Sequence, residues 1–277
     1  MAELTSDLLT AAYMAQVAAI RDRVLAYAVA MWGSATSLRD ADVERLVARI
    51  VPVVQGGQLQ VAGLTNAYVG QLAKLEGVSA VVAPIDRASV VGYRGVPADE
   101  VYRRPAVATY TALRDGKPFG AAREEGLGRL KSLVATDVQQ ARNRQARHAY
   151  SNTGFDYTIR TLSGSENCAL CVIASTQRYH SAGLMPIHPG CDCGERGMRA
   201  GRDPGQVIDQ RLLDLTYQQV DVKLASGDPA PVLGDKQSSA GKAISDFTDM
   251  IVTREHGELG ATLAWRQDHF TGPSGLN

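Results

Sequence analysis

Four cysteines and one histidine crowd into a short stretch. CALC at 168–171 is followed sixteen residues later by HPGCDC at 188–193, placing Cys168, Cys171, His188, Cys191 and Cys193 together. Thiolate sulfur and neutral imidazole nitrogen are the usual donors of structural zinc, and a C-x-x-C pair on a tight turn spans one edge of a tetrahedron with Zn–S near about 2.3 Å. Five donors compete for four places. Cys168, Cys171 and His188 are favoured, with either Cys191 or Cys193 as the fourth: H-x-x-C repeats the C-x-x-C spacing, C-x-C also chelates, and the spacing leaves both open. Pro186 and Pro189 stiffen the backbone around His188, and Gly190 allows a tight turn into the thiols. A surplus of donors argues for a closed structural site rather than a catalytic one, which keeps a position for water. No H-E-x-x-H helix supplies a general base, and no catalytic residue is identified.

Simpler readings of the same residues carry less weight. Inert buried cysteines do not account for every cysteine of the chain lying beside a histidine. A redox C-x-x-C wants a strand before it and a helix after it, a pattern missing here. Cysteines confined to one segment cannot staple distant parts of a secreted fold, so the thiols point to metal in a reducing compartment.

The chain that must position this cluster has 277 residues, enough for one large domain or two modest ones. Hydrophobic residues make up 45% and aromatic residues only 6%, which predicts a core built largely from Ala, Val and Leu. Lys plus Arg number 29 and Asp plus Glu 29, so no global field draws the chain to nucleic acid or to an acidic membrane. Arg21, Asp22 and Arg23 interrupt the first apolar stretch, which predicts a soluble protein made in a cytoplasm, with no leader and no membrane partner.

Helical periodicity dominates the first half. Leu9, Tyr13, Val17, Ile20, Val24, Ala28 and Met31 make one stripe, capped by Thr5 or Ser6 and ending near Gly33. A second helix begins near Ser37 and is expected to break or kink at Pro52, with helical spacing resuming from Val61 to Leu75. Residues 78–97 predict an extended or irregular connection; helices follow over Asp99 to Arg114 and from Pro118 to about Tyr150, the latter with Leu127, Leu130, Val134, Val138 and Ala141 on one face. The turn signal at Asn152-Thr153-Gly154 precedes a short strand within 155–162, and a further helix is predicted from Val207 to Leu224. The expected fold class is α+β: a mainly helical domain over 1–151, a small mixed α/β zinc-knuckle domain over 152–225, a Pro/Gly/Ser-rich linker over 226–243 and a C-terminal tail over 244–277. Leu259, Leu263, Trp265 and Phe270 are too apolar for a free tail and predict that it docks.

MPIHPGCDCGERG after a C-x-x-C resembles the signature of the Mu F-like minor head proteins of tailed phages, in which Pro-Pro-x-His-Pro-Asn-Cys-Arg-Cys follows a Cys-x-x-Cys. GYRGVPADEVYRRPAVATYTAL at 92–113 and REHGELGATLAWRQDHFTGPSG at 254–275 resemble members from actinobacteriophages, extending the likeness over most of the chain. Met185 replaces the first Pro, Gly190 the Asn and Asp192 the Arg of that signature, changes that leave the donors intact. The resemblance implies a low-copy minor capsid protein, a non-enzymatic virion component in the phage head interior or at the portal vertex, with portal protein or major capsid protein as partner.

A third class, a nucleic-acid-binding zinc module, would interleave basic and aromatic residues with the ligands, whereas the loop offers Arg178 and Tyr179 and then the acidic Asp192 and Glu195, which favours the structural class. The alternative implied by the same resemblance is a capsid maturation (prohead) protease. Ser163, Ser165, His148 and His180 show no nucleophile elbow or triad order to support it. Arg142, Arg144, Arg147 and His148 form a basic helix end, read as a solvated face that complements the helix dipole; any DNA contact through phosphates there is expected to be non-specific. Arg103 and Arg104 before Pro105 are read as turn anchors.

Overall fold

The computed structural model describes residues 5–81, 84–162, 171, 174–175, 178–179 and 193–202, together with the backbone of 251–256 and 260–265. The chain divides into two compact units, Met1–Thr153 and Gly154–Asn277. Helix dominates what is described, and the described strands form two-stranded antiparallel sheets, an α+β composition.

The first unit is helical. Helix α1 (Ser6–Ser34) starts at Thr5, whose side chain accepts from the Leu8 amide at 3.2 Å, and buries Tyr13, Val17, Ile20, Val24 and Ala28 along the expected stripe. At its other end the Arg123 guanidinium donates to the carbonyls of Trp32 (2.7 Å), Gly33 (3.1 Å) and Ala35 (2.8 Å), adding a cation to the acceptors of the helix terminus.

Helix α2 (Asp40–Glu76) runs through Pro52, so of the break or kink expected there the break does not occur. Proline removes one amide donor, but the turns on either side bury Ile50, Val54, Val61 and Leu72, and that packing outweighs one lost hydrogen bond. The helix ends at Gly77, in the left-handed conformation that glycine adopts without strain. Tyr13 bonds Thr65 at 2.9 Å, Thr10 bonds Tyr68 at 2.9 Å and Ser6 bonds Glu76, so α1 and α2 lie antiparallel. The Tyr13 and Tyr68 rings stack between them at 4.1 Å.

The connection expected to be irregular contains helix α3 (Arg87–Val91), started by Asp86, whose side chain accepts from the Ala88 amide at 2.9 Å. Helix α4 (Ala98–Arg114) takes in Pro105 as well as Arg103 and Arg104, so these arginines are helical rather than turn anchors. Arg103 reaches Glu44 at 3.5 Å. Helix α5 (Phe119–Tyr150) follows Pro118 and packs on α1, α2, α3 and α4. Gln145 bonds Asn66 at 2.6 Å and Gln58 donates to the Asp137 carbonyl at 3.4 Å, which sets α5 parallel to α2.

Gly126 marks the closest approach in this unit. A Cβ there would lie 2.7 Å from Trp32 Cζ2 and 2.7 Å from the Pro105 carbonyl, and would also meet Thr109 Oγ1. Gly128, one turn face away, has nothing within 4 Å. Gly126→Ala is therefore expected to destabilise this unit by about 1–3 kcal/mol through overpacking. Gly128→Ala is expected to stabilise it by up to about 1 kcal/mol through helix propensity. Urea unfolding followed by circular dichroism measures both; equal effects would contradict the packing assignment.

In the second unit, β1 (Tyr157–Thr161) pairs antiparallel with β2 (Gly194–Met198), Arg160 facing Glu195 and Thr158 facing Gly197. Tyr179 bridges the other edge of β1 at Thr158. The backbone of β3 (Ile251–His256) pairs with β4 (Gly260–Trp265) as a hairpin within the expected tail. The predicted helix at 207–224 and the linker at 226–243 lie outside the described residues. Among those described, no helix is long and apolar enough to cross a membrane.

Candidate metal centre

Of the five expected donors, Cys171 and Cys193 are described, and both are 3% exposed. Cys168, His188 and Cys191 lie outside the described residues. Among the described residues no three His, Cys, Asp or Glu side chains form a metal-binding group.

Strand periodicity builds the surroundings of these two thiols. Arg160 and Glu195 are cross-strand partners, so their side chains share one face of the β1–β2 sheet; Cys193, two residues before Glu195, continues that face past the strand end. Arg160 and Glu195 are 2% and 1% exposed. The Arg160 guanidinium lies 5.1 Å from the Tyr179 ring centroid and donates through Nη1 to Cys193 Sγ at 3.4 Å. Tyr179 itself donates through its hydroxyl to the Ala174 carbonyl at 2.9 Å, which ties it to the helical backbone around Cys171, Ala174 and Ser175.

Burial pushes the Tyr179 phenol above its ordinary value; the Arg160 guanidinium opposes the shift, and the Cys193 and Cys171 sulfurs add to it. Two buried soft donors, one of them accepting from a guanidinium, fit the chemistry of a thiolate-rich zinc site: the sulfurs would supply negative charge, and burial would exclude competing water. Zinc bound there would act as a cross-link between the C-x-x-C segment and the start of β2. Arg160 was not singled out from sequence, although an arginine directly after the half-apolar run Tyr157-Thr158-Ile159 was the available signal.

The helical unit holds a second polar constellation that the sequence analysis missed. Asp137, in the middle of α5, accepts from Tyr93 (2.7 Å), from Arg94 Nη2 (2.6 Å) and Nε (3.0 Å), and from Tyr102 (2.7 Å). The Arg94 and Asp137 side chains are each 7% exposed. All three donors come from the 92–113 stretch, so the carboxylate pins that stretch to α5. The visible clue was position: Asp137 falls on the buried stripe with Leu130, Val134 and Ala141, where an unpaired acid would be costly.

Burial, and next the Asp137 charge, push the Tyr102 phenol well above its ordinary 10.0, and the Tyr93 phenol is raised by the same two causes. A phenol raised on folding stays protonated in the native state while its unfolded counterpart ionises. The stability it contributes is full below about pH 10 and falls as pH rises beyond that. The helical unit is accordingly expected to unfold in alkali, and Tyr102→Phe to flatten that loss. Circular dichroism from pH 8 to 12 would show it; an unaltered alkaline profile in the variant would count against it.

The basic end of α5 departs from its expected exposure. Arg147 and His148 are exposed, but Arg142 is 3% exposed and Arg144 is half-buried with its guanidinium 4.9 Å from the Tyr93 ring centroid. From Leu133 to Ala146 the helix is buried on nearly every side, so it has no solvated face there. Of the serines and histidines weighed for a protease, His148 is exposed, and Ser163, Ser165 and His180 lie outside the described residues.

Comparison of the chain with family models, curated proteins and solved structures yields no match.

Proposed function

We propose that this chain is a structural minor head protein of a tailed phage, carried in few copies near the portal or the inner capsid wall and stabilised by one structural zinc. The observation that carries the reading is the C-x-x-C followed by H-P-x-C-x-C, with the two described thiols of that set, Cys171 and Cys193, both buried. A long helical unit with a polar lock at Asp137 suits a part that must hold its shape during assembly. A metal cross-link, closed to water by its own surplus of donors, suits a scaffold better than a catalyst. Portal protein or major capsid protein is the partner this reading assigns, with the apolar tail at 244–277 as the docking element.

The test is assembly of proheads with the full chain and with a chain ending at residue 243. The full chain is expected to co-sediment with proheads, the truncated chain to remain soluble and be left out, and the capsid and scaffold bands to keep their lengths. Normal incorporation of the truncated chain would remove the docking role. Cleavage that disappears with a single Ser or His substitution would move the prohead protease reading to first place.

A further inference from the structure

We propose that Arg160 is the positioning residue of the metal centre, and that its hydrogen bond to Cys193 selects Cys193, rather than Cys191, as the sulfur that completes the ligand set with Cys171. The inference rests on the zinc reading above and adds to it a residue outside the donor motif together with a choice between two donors.

The first support is burial. A guanidinium at 2% exposure is costly unless anionic partners surround it. The sheet face it occupies offers two groups able to carry negative charge, the Glu195 carboxyl as its cross-strand partner and the Cys193 sulfur at 3.4 Å. The second support is geometry. Tyr179, fixed at the edge of β1 through its backbone pairing with Thr158 (2.7 and 2.9 Å), lays its ring 5.1 Å from the guanidinium. That ring and the strand hold the donor in one place, so the sulfur it meets is held as well.

The third support is charge. A zinc ion bound by three thiolates and one imidazole carries net negative charge, and a buried cation donating to one sulfur offsets it. Such outer donors orient the ligand, and their loss costs about 10–100-fold in metal affinity. Cys193, the last residue before β2, inherits the rigidity of the strand through Gly194. Cys191 lies two residues further from it.

Cobalt(II) substitution of the full chain tests this, because sulfur-to-cobalt charge-transfer intensity counts bound thiolates and its energy reports hydrogen bonding at sulfur. Cys191→Ser is expected to keep the full band, and Cys193→Ser to lose one thiolate's share. Arg160→Met is expected to bind about 10–100-fold more weakly with the band moved to lower energy, and Arg160→Lys to recover part of both. In a Cys193→Ser background, Arg160→Met should cost little more. Retention of the band by Cys193→Ser and its loss in Cys191→Ser would overturn the proposal, as would an unmoved band in Arg160→Met. A wild-type chain that takes up neither cobalt nor zinc would instead overturn the metal reading beneath it.

Discussion

Chelation at neutral pH is expected to unfold residues 155 to 200 while the helical unit keeps its circular dichroism signal. Between those positions the large apolar side chains are few: Phe155, Ile159, Leu162, Leu170, Val172, Ile173, Leu184, Met185, Ile187 and Met198, with Tyr157 and Tyr179 as the other aromatic residues of the segment. Ordering about forty residues costs roughly 1–2 kcal/mol each for backbone alone, more than such a set can offset by burial. A structural zinc supplies on the order of 10 kcal/mol or more, so metal binding and folding of this segment are expected to be one event. Cys171→Ser is expected to reproduce the effect without chelator. Elemental analysis combined with limited proteolysis, before and after chelator, reads the outcome: a metal-free chain that resists protease between 155 and 200 would refute it. The helical unit, with an independent core of buried side chains from Tyr13 to Tyr150, is the internal control.

Replacing Asp137 with alanine is expected to cost the helical unit about 3–5 kcal/mol, a large share of the roughly 5–15 kcal/mol that keeps a domain folded. The carboxylate is the acceptor for Tyr93, Arg94 and Tyr102, and its removal leaves the buried Arg94 guanidinium without that counter-charge. The cost comes from stranding the partners more than from losing attraction, which gives the account a sharper check. Asp137→Leu combined with Arg94→Met removes both charges, and is expected to be much closer to wild type than either single change. Urea titration of the four proteins gives the coupling directly. Strict additivity would show that Asp137 and Arg94 act separately.

The helices were legible because their information is local. Apolar spacing announced α1, α4 and α5, and Thr5 and Pro118 marked two of their starts. Of the break or kink expected at Pro52 the break is absent, since a local rule about a missing amide says nothing of the buried turns that carry α2 across it. The short α3 was missed for the opposite reason: five residues carry too little periodicity to outvote their Val, Gly and Pro surroundings. Arg142 was read as solvated because helix-end cations usually are, whereas this part of α5 is buried nearly all round.

The candidate donor set was read from clustering alone; the described structure shows two of its members, Cys171 and Cys193, both buried. What periodicity could not supply was pairing across distance. Arg160 meets Cys193 thirty-three positions away, and Asp137 meets Tyr93 forty-four positions away, contacts decided by strand register and helix packing. Both are polar residues set into otherwise apolar runs. That is the signal a sequence reading has for a buried polar network.

The most direct measurement of the assignment as a minor head protein is quantitative mass spectrometry of purified phage heads assembled with this chain, with chemical cross-linking before digestion. The account predicts a few full-length copies per particle, cross-linked to portal or major capsid protein. Absence of the chain from purified heads would contradict it, whatever metal the chain binds.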